Sequence, residues 1–189
     1  MTNLELWAAI MTWTEGGFCD SGFMDKMAEK YPTMPEWLVG DIGVEHYRFL
    51  SYIVEHLGVE KVVDIGTYEG SSALALSANE DVHVISYDIM NRIKRLPKKS
   101  NITYKVENLL RTKNLPETRL IFLDVDPHDG IQEPMFMNLF AELEWKGIVI
   151  FDDIHLNGHM QTFWDNVEKT KYDLTKVGHH SGTGMVLYD

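Results

Sequence analysis

Val62-Val63-Asp64-Ile65-Gly66-Thr67-Tyr68-Glu69-Gly70-Ser71-Ser72 reads as a short apolar run, a turn punctuated by glycine and the start of a helix. The run Lys61–Ile65 is continuous rather than alternating, the pattern of a parallel strand covered on both faces. Gly66 and Gly70 let ligand atoms approach the main chain, and the helix start offers free N–H groups. The spacing is not Gly-x-Gly-x-x-Gly, and no Lys follows the second glycine, so the dinucleotide fingerprint and the P-loop are both absent. Asp64 at the strand tip would repel a pyrophosphate and suits a cationic ligand.

Working outward, further strand-length apolar runs lie at Val82–Tyr87, Ile102–Val106, Leu120–Val125 and Gly147–Phe151. Helical patterns fall between several of them, at Ser71–Ser77, Glu133–Leu143 and Gly158–Thr170. This alternation predicts an α/β fold with a parallel sheet and right-handed crossovers. Tyr172–Val177 and Met185–Tyr188 are joined by a linker too short for a crossover helix, so these last strands should be antiparallel. Upstream, helices are expected at Leu4–Met11, Phe23–Glu29 and Val44–Leu57, with turn signals at Gly16-Gly17, Gly22 and Tyr31–Pro35.

The 189 residues favour one domain. Seventeen basic and 29 acidic residues leave a net charge of −12, which disfavours nucleic acid and anionic membrane surfaces as partners. One basic stretch, Asn91–Lys99, opposes this and reads as a solvated loop or a phosphate patch. No apolar run is long enough to span a membrane, and the N-terminus lacks a basic leader pattern. The single cysteine, Cys19, excludes a disulfide framework, so a cytoplasmic setting is expected.

Asp64-Ile65-Gly66-Thr67-Tyr68-Glu69-Gly70-Ser71 resembles the S-adenosylmethionine (SAM) motif of class I methyltransferases. Asp88, ending the second strand, falls where that family binds the ribose hydroxyls. Asn108 falls where the family contacts adenine, though an Asp is more usual there. The resemblance covers about residues 44–189 and implies a Rossmann-like, three-layer α/β/α fold with a seven-stranded sheet and an antiparallel last strand. Residues 1–43 are then an N-terminal helical cap on one structural domain. Its Trp- and Met-rich composition, with Trp7, Trp13 and Trp37, suits a lid or a homodimer contact.

Two acidic strand tips follow, Leu123-Asp124-Val125-Asp126-Pro127-His128-Asp129 and Phe151-Asp152-Asp153-Ile154-His155. If their strands are neighbours, Asp124, Asp152 and Asp153 meet at the carboxyl edge, where open α/β sheets bind ligands. Carboxylates so placed repel unless protons or a cation intervene, and oxygen ligands favour Mg²⁺, Ca²⁺ or Mn²⁺. Helix capping by Asp153 or Asp129 is the plainer alternative. The two tips resemble those of metal-dependent O-methyltransferases acting on sugars in antibiotic and polysaccharide pathways. That resemblance implies Asp124, Asp152 and Asp153 as ligands of Mg²⁺ or Mn²⁺, with Asp124 also beside SAM, and a hydroxyl of a sugar or glycan as acceptor. Catechol-type relatives carry a Lys where this chain has Pro127. The base is expected to be Asp126 or His128, with Asp126 favoured because it lies two residues beyond Asp124 on the same side of an extended chain. His46, His56 and His83 read as structural or surface residues; His128 and His155 are the histidines expected at the site. A phenolic O-methyltransferase and a non-catalytic SAM-binding module are the alternative functions.

Overall fold

The structure, a computed structural model, describes residues 2–15, 22–31, 41–93 and 96–189. Helices α1 (Asn3–Glu15), α2 (Phe23–Lys30) and α3 (Asp41–His56) come first. Then follow β1 (Lys61–Ile65), α4 (Ser71–Leu76), β2 (His83–Asp88), β3 (Ile102–Val106), α5 (Leu109–Thr112) and β4 (Leu120–Leu123). The chain ends with α6 (Gln132–Glu142), β5 (Gly147–Asp152), α7 (Gly158–Asp165), β6 (Lys171–Asp173) and β7 (Thr183–Tyr188).

The seven strands form one sheet in the order β3-β2-β1-β4-β5-β7-β6. β1 pairs in parallel with β2 and β4, and β7 runs antiparallel to both β5 and β6. The expected seven-stranded, mostly parallel sheet with an antiparallel last strand is thus observed. Successive strand residues point to opposite faces, and both faces are covered. Val62, Leu120, Phe122 and Ile150 pack with α1, α2, α3 and α4, whereas Val63, Ile121, Leu123 and Phe151 pack with α6 and α7. This double burial is why the strand runs are continuous in sequence, each large side chain contributing roughly 1.5–3 kcal/mol.

Four expectations change. The helix expected over Gly158–Thr170 stops at Asp165. β3 is an edge strand and is not covered on both faces: Val106 is 63% exposed. The strand expected over Tyr172–Val177 stops at Asp173, because Asp173 Oδ1 accepts hydrogen bonds from the Thr175 amide and hydroxyl and turns the chain. β4 ends at Leu123, so Asp124 and Val125 lie beyond it.

α3 runs through residues 43 and 44, across the boundary between expected cap and domain. Leu6, Ile10, Met24 and Met27 join the sheet core, with Trp7 packed against it. Cys19, Trp37, Lys94 and Arg95 lie outside the described residues, as do the turn signals at residues 16–17 and 32–35. No helix among the described residues is long and apolar enough to cross a membrane.

Candidate functional site

The turn after β1 is set by Gly66. Its amide and that of Thr67 donate to the Tyr87 carbonyl at 2.9 and 3.1 Å, and Asp124 N donates to the Ile65 carbonyl at 2.9 Å. Gly66 has φ +99°, and a Cβ there would stand 1.5 Å from the Asp124 carbonyl oxygen, so only glycine fits. Tyr68, with φ +46°, then turns the chain back. Its amide donates to Asp88 Oδ2 at 2.8 Å while Met90 N donates to Asp88 Oδ1 at 2.9 Å, which fixes this carboxylate at the end of β2. Each Asp88 oxygen keeps lone pairs for further donors.

A cavity of about 600 Å³ opens here, within the range of small-molecule sites. Of the residues expected to bind a cofactor, Gly66, Tyr68, Asp88, Asn108 and Asp124 line it. Asn108 occupies the N-cap of α5 with no side-chain bond to that helix. Thr67, Glu69 and Ser71 instead line an adjoining cavity of about 320 Å³, which shares Gly66, Tyr68 and Asp124 and is bounded by Tyr47 of α3. Gly70 lines neither; its φ of +95° and the Tyr104 hydroxyl 3.1 Å from a Cβ there make it a packing position. Asp64 also lines neither. It is fully buried below the turn, where Ser86 donates to it and Thr67 bonds Ser86 at 2.5 Å. Burial pushes the Asp64 carboxyl up to about 6.

β4 and β5 are neighbours, with Leu123 opposite Phe151, so the acidic tips meet as expected. Asp153 has φ +60° and its side chain caps no helix: α7 is capped by Asn157, which accepts from His159 N and Met160 N. Asp129 Oδ1 only closes a local turn onto Ile131 N. The three carboxylates do not stand alone. His128 Nε2 lies 3.9 Å from Asp124 Oδ1, and its Nδ1 lies 3.5 Å from Asp153 Oδ2. His179 Nδ1 lies 3.4 Å from Asp152 Oδ1 and 3.4 Å from Asp153 Oδ1. Asp124, His128 and Asp153 form one group able to hold an ion, and Asp152, Asp153 and His179 a second, with Asp153 shared. Oxygen and imidazole donors at this spacing fit a divalent cation.

The electrostatics reflect the crowding. Burial, then Asp152 and Asp153, holds the Asp124 carboxyl well above the usual range. Burial opposes charge on Asp153, but the polar contact with His179 and the Ser181 hydrogen bond outweigh it and lower that carboxyl. His179 likewise overcomes burial through Asp152 and Asp153 and is held at about 10. His46 goes the other way: burial lowers it despite Asp152 Oδ2 3.7 Å from its Nε2.

Asp126 sits at the rim, 68% exposed, with Oδ2 3.4 Å from Arg92 Nη1 and Oδ1 3.5 Å from His128 Nε2. The chain does not carry His128 away after Pro127. With φ +55° it returns, and His128 lines the large cavity between Asp124, Asp126 and Asp153. His155 belongs to neither ion-holding group; it bonds Gln161 at 2.6 Å and Asp173 at 2.7 Å.

Local sequence assigns no site role to Ser181, to His46, read as structural or surface, or to His179, a loop histidine near the edge that reads alone as structural. His46 shares one helix face with Leu50, Ile53 and Leu57, at spacings of four, seven and eleven residues, and that spacing was the available signal. His179 and Ser181 reach Asp153 only because β7 folds back beside β5.

A sequence model of the O-methyltransferase family matches residues 19–179. The chain belongs to the O-methyltransferase family. No curated protein is significantly similar to this O-methyltransferase in sequence. Among solved structures, it resembles a Podospora anserina methyltransferase bound to S-adenosylhomocysteine (SAH): 14% identity, TM-score 0.59, 100% of this chain and 97% of that one. An O-methyltransferase from Bacillus cereus in complex with SAH gives 16% identity and a TM-score of 0.57 over 95% of this chain and 100% of that one. The Streptomyces achromogenes O-methyltransferase TomG, involved in tomaymycin synthesis and solved with SAM, gives 14% identity and a TM-score of 0.55, with both chains covered fully. These likenesses concern the fold. Family membership makes this chain a SAM-dependent O-methyltransferase, and the cavity below the Gly66 turn has the size and polar groups for that cofactor.

Proposed function

We propose that this O-methyltransferase transfers the SAM methyl group to a hydroxyl of a sugar or glycan, with a divalent cation held by Asp124, Asp152 and Asp153. The observation that carries the reading is the meeting of these three carboxylates with His128 and His179, of which Asp124, Asp153 and His128 line the large cavity.

In this reading Asp88 accepts from the ribose hydroxyls and Asn108 faces the adenine. Asp124 joins the two halves, since it lines both cavities. When bound, the cation supplies Lewis acidity that lowers the pKa of a hydroxyl by several units. His128 Nε2 takes the acceptor proton, and Asp126 Oδ1, 3.5 Å away, orients the ring and balances its new charge. Asp126, Arg92, Gln132 and Glu107 give the cavity a polar wall suited to a polyhydroxylated acceptor. Pro127 stands where a catechol-type enzyme has its Lys, which favours a sugar over a phenol.

The test is methyl transfer from labelled SAM to a panel of free sugars, nucleotide sugars, glycans and phenols. Sugar methylation should occur, stop in EDTA and return with Mg²⁺ or Mn²⁺. Full activity in chelator would remove the cation from the reading, and methylation confined to phenols would remove the sugar.

A further inference from the structure

His179, on the loop between β6 and β7, places Nδ1 3.4 Å from a carboxylate oxygen of each of two consecutive acids. Asp152 and Asp153 are only 7% and 12% exposed at their side chains, so water does little to separate their charges. On the other side of Asp152 stands His46, 3% exposed, with Nε2 3.7 Å from Asp152 Oδ2 and Nδ1 without a hydrogen-bond partner among the described residues. Two imidazoles therefore face Asp152 from different elements, α3 and the last loop.

The separations matter. Charge-assisted hydrogen bonds run at about 2.7–2.9 Å, and 3.4 Å is too long for one. Donor atoms around an ion with bonds near 2.1 Å lie about 3.0–3.4 Å apart, which is the spacing seen here. One shorter contact keeps the ring in place: Ser181 Oγ, 2.7 Å from His179 Nδ1, also donates to Asp153 Oδ1. In that arrangement His179 Nδ1–H donates to Ser181. A cation held by His179 Nδ1 and the two carboxylates would take the place of this proton, and Ser181 would keep its bond to Asp153.

We propose that His179 is a direct nitrogen ligand of the cation, beside Asp152 and Asp153. The centre is then a mixed carboxylate–imidazole site that selects Mn²⁺ and similar transition cations over Mg²⁺. Imidazole is a better ligand for such ions, whereas all-oxygen sets suit Mg²⁺. His128, which lines the cavity as His179 does not, stays available to the acceptor. The proposal rests on the cation reading of the preceding section, and its test separates the two.

Chelator-stripped protein, without SAM or acceptor, is titrated with Mn²⁺ and with Mg²⁺, and the Mn²⁺ complex is examined by pulsed electron paramagnetic resonance. The expected result is Mn²⁺ binding at least about tenfold tighter than Mg²⁺, with a ¹⁴N coupling that changes on ¹⁵N-histidine labelling. His179→Gln should lose that coupling and about tenfold or more in Mn²⁺ affinity, with Mg²⁺ binding little altered. Labelling of the wild type decides whether any histidine is a ligand even if the variant does not fold, and His179→Asn then serves as the second variant. Mn²⁺ bound without nitrogen coupling, or coupling kept in the His179 variants, overturns the ligand assignment and leaves the cation site standing. Absence of Mn²⁺ binding overturns both.

Discussion

The Cα of Gly66 and the main-chain carbonyl of Asp124 are packed so closely that a methyl group on Gly66 would overlap the oxygen at 1.5 Å. One end of this contact shapes the turn after β1 and the other carries the first of the clustered acids. Asp124 N, bonded to the Ile65 carbonyl at 2.9 Å, locks the same pair of strands. The large cavity and the acid cluster are therefore mechanically one unit.

Gly66→Ala should separate β1 from β4 at the carboxyl edge. Overpacking of this kind costs roughly 1–3 kcal/mol, and the φ of +99° adds strain for any other residue. Thermal unfolding should show the loss, and SAM binding should fall with it. An alanine variant with wild-type stability and affinity would show that the strand ends are free to part.

Asp88→Ala should weaken SAM and SAH binding by about 1–3 kcal/mol, the usual cost of a lost charge-assisted hydrogen bond. Calorimetry reads it. The variant also frees the Tyr68 and Met90 amides, so a small loss of stability should accompany the binding change. Unchanged affinity would take the ribose away from Asp88.

His128→Ala should lose at least about 10²-fold in turnover while still binding SAM, as expected for removal of a general base. Asp126→Asn should lose much less, because Asp126 stands at the rim and is 68% exposed. Turnover of both variants at saturating SAM and metal decides between them. The reverse ranking would assign proton removal to Asp126.

Asp64→Asn should stabilise the protein in a pH-dependent way. The folded state holds the Asp64 proton up to about 6, whereas an unperturbed Asp carboxyl releases it at 3.8. The stability this group contributes is complete below the lower value and is lost as pH rises through the upper one. Two pK units correspond to a loss on the order of 3 kcal/mol. Asn removes the ionisation and keeps an oxygen for the Ser86 hydroxyl. Denaturant titrations should show the variant's advantage growing from pH 4 to pH 7. An advantage that does not change with pH would mean that Asp64 is ionised throughout.

The strands and their burial were legible from the chain itself, because a strand covered on both faces favours apolar residues at successive positions; Val62, Val63 and Ile65 are buried hydrophobic residues, and Asp64 among them is buried with Ser86 as its partner. The Gly66 turn and the acid tips were legible too, since a positive φ and a close backbone approach admit few residue types. Separate helices, loops and strands supply the remaining members of the site. His46 comes from α3, 106 residues before Asp152, and His179 from a loop that reaches Asp153 only because β7 returns antiparallel beside β5. Local sequence carries no record of such distances. Asp64 and His128 show the same limit in single residues. A tip acid in the text is a buried partner of Ser86 in the fold, and a histidine placed past a proline is turned back into the cavity by its own φ of +55°. Residue type and spacing determined which chemistry was present; the packing of strands and loops decided which groups share it.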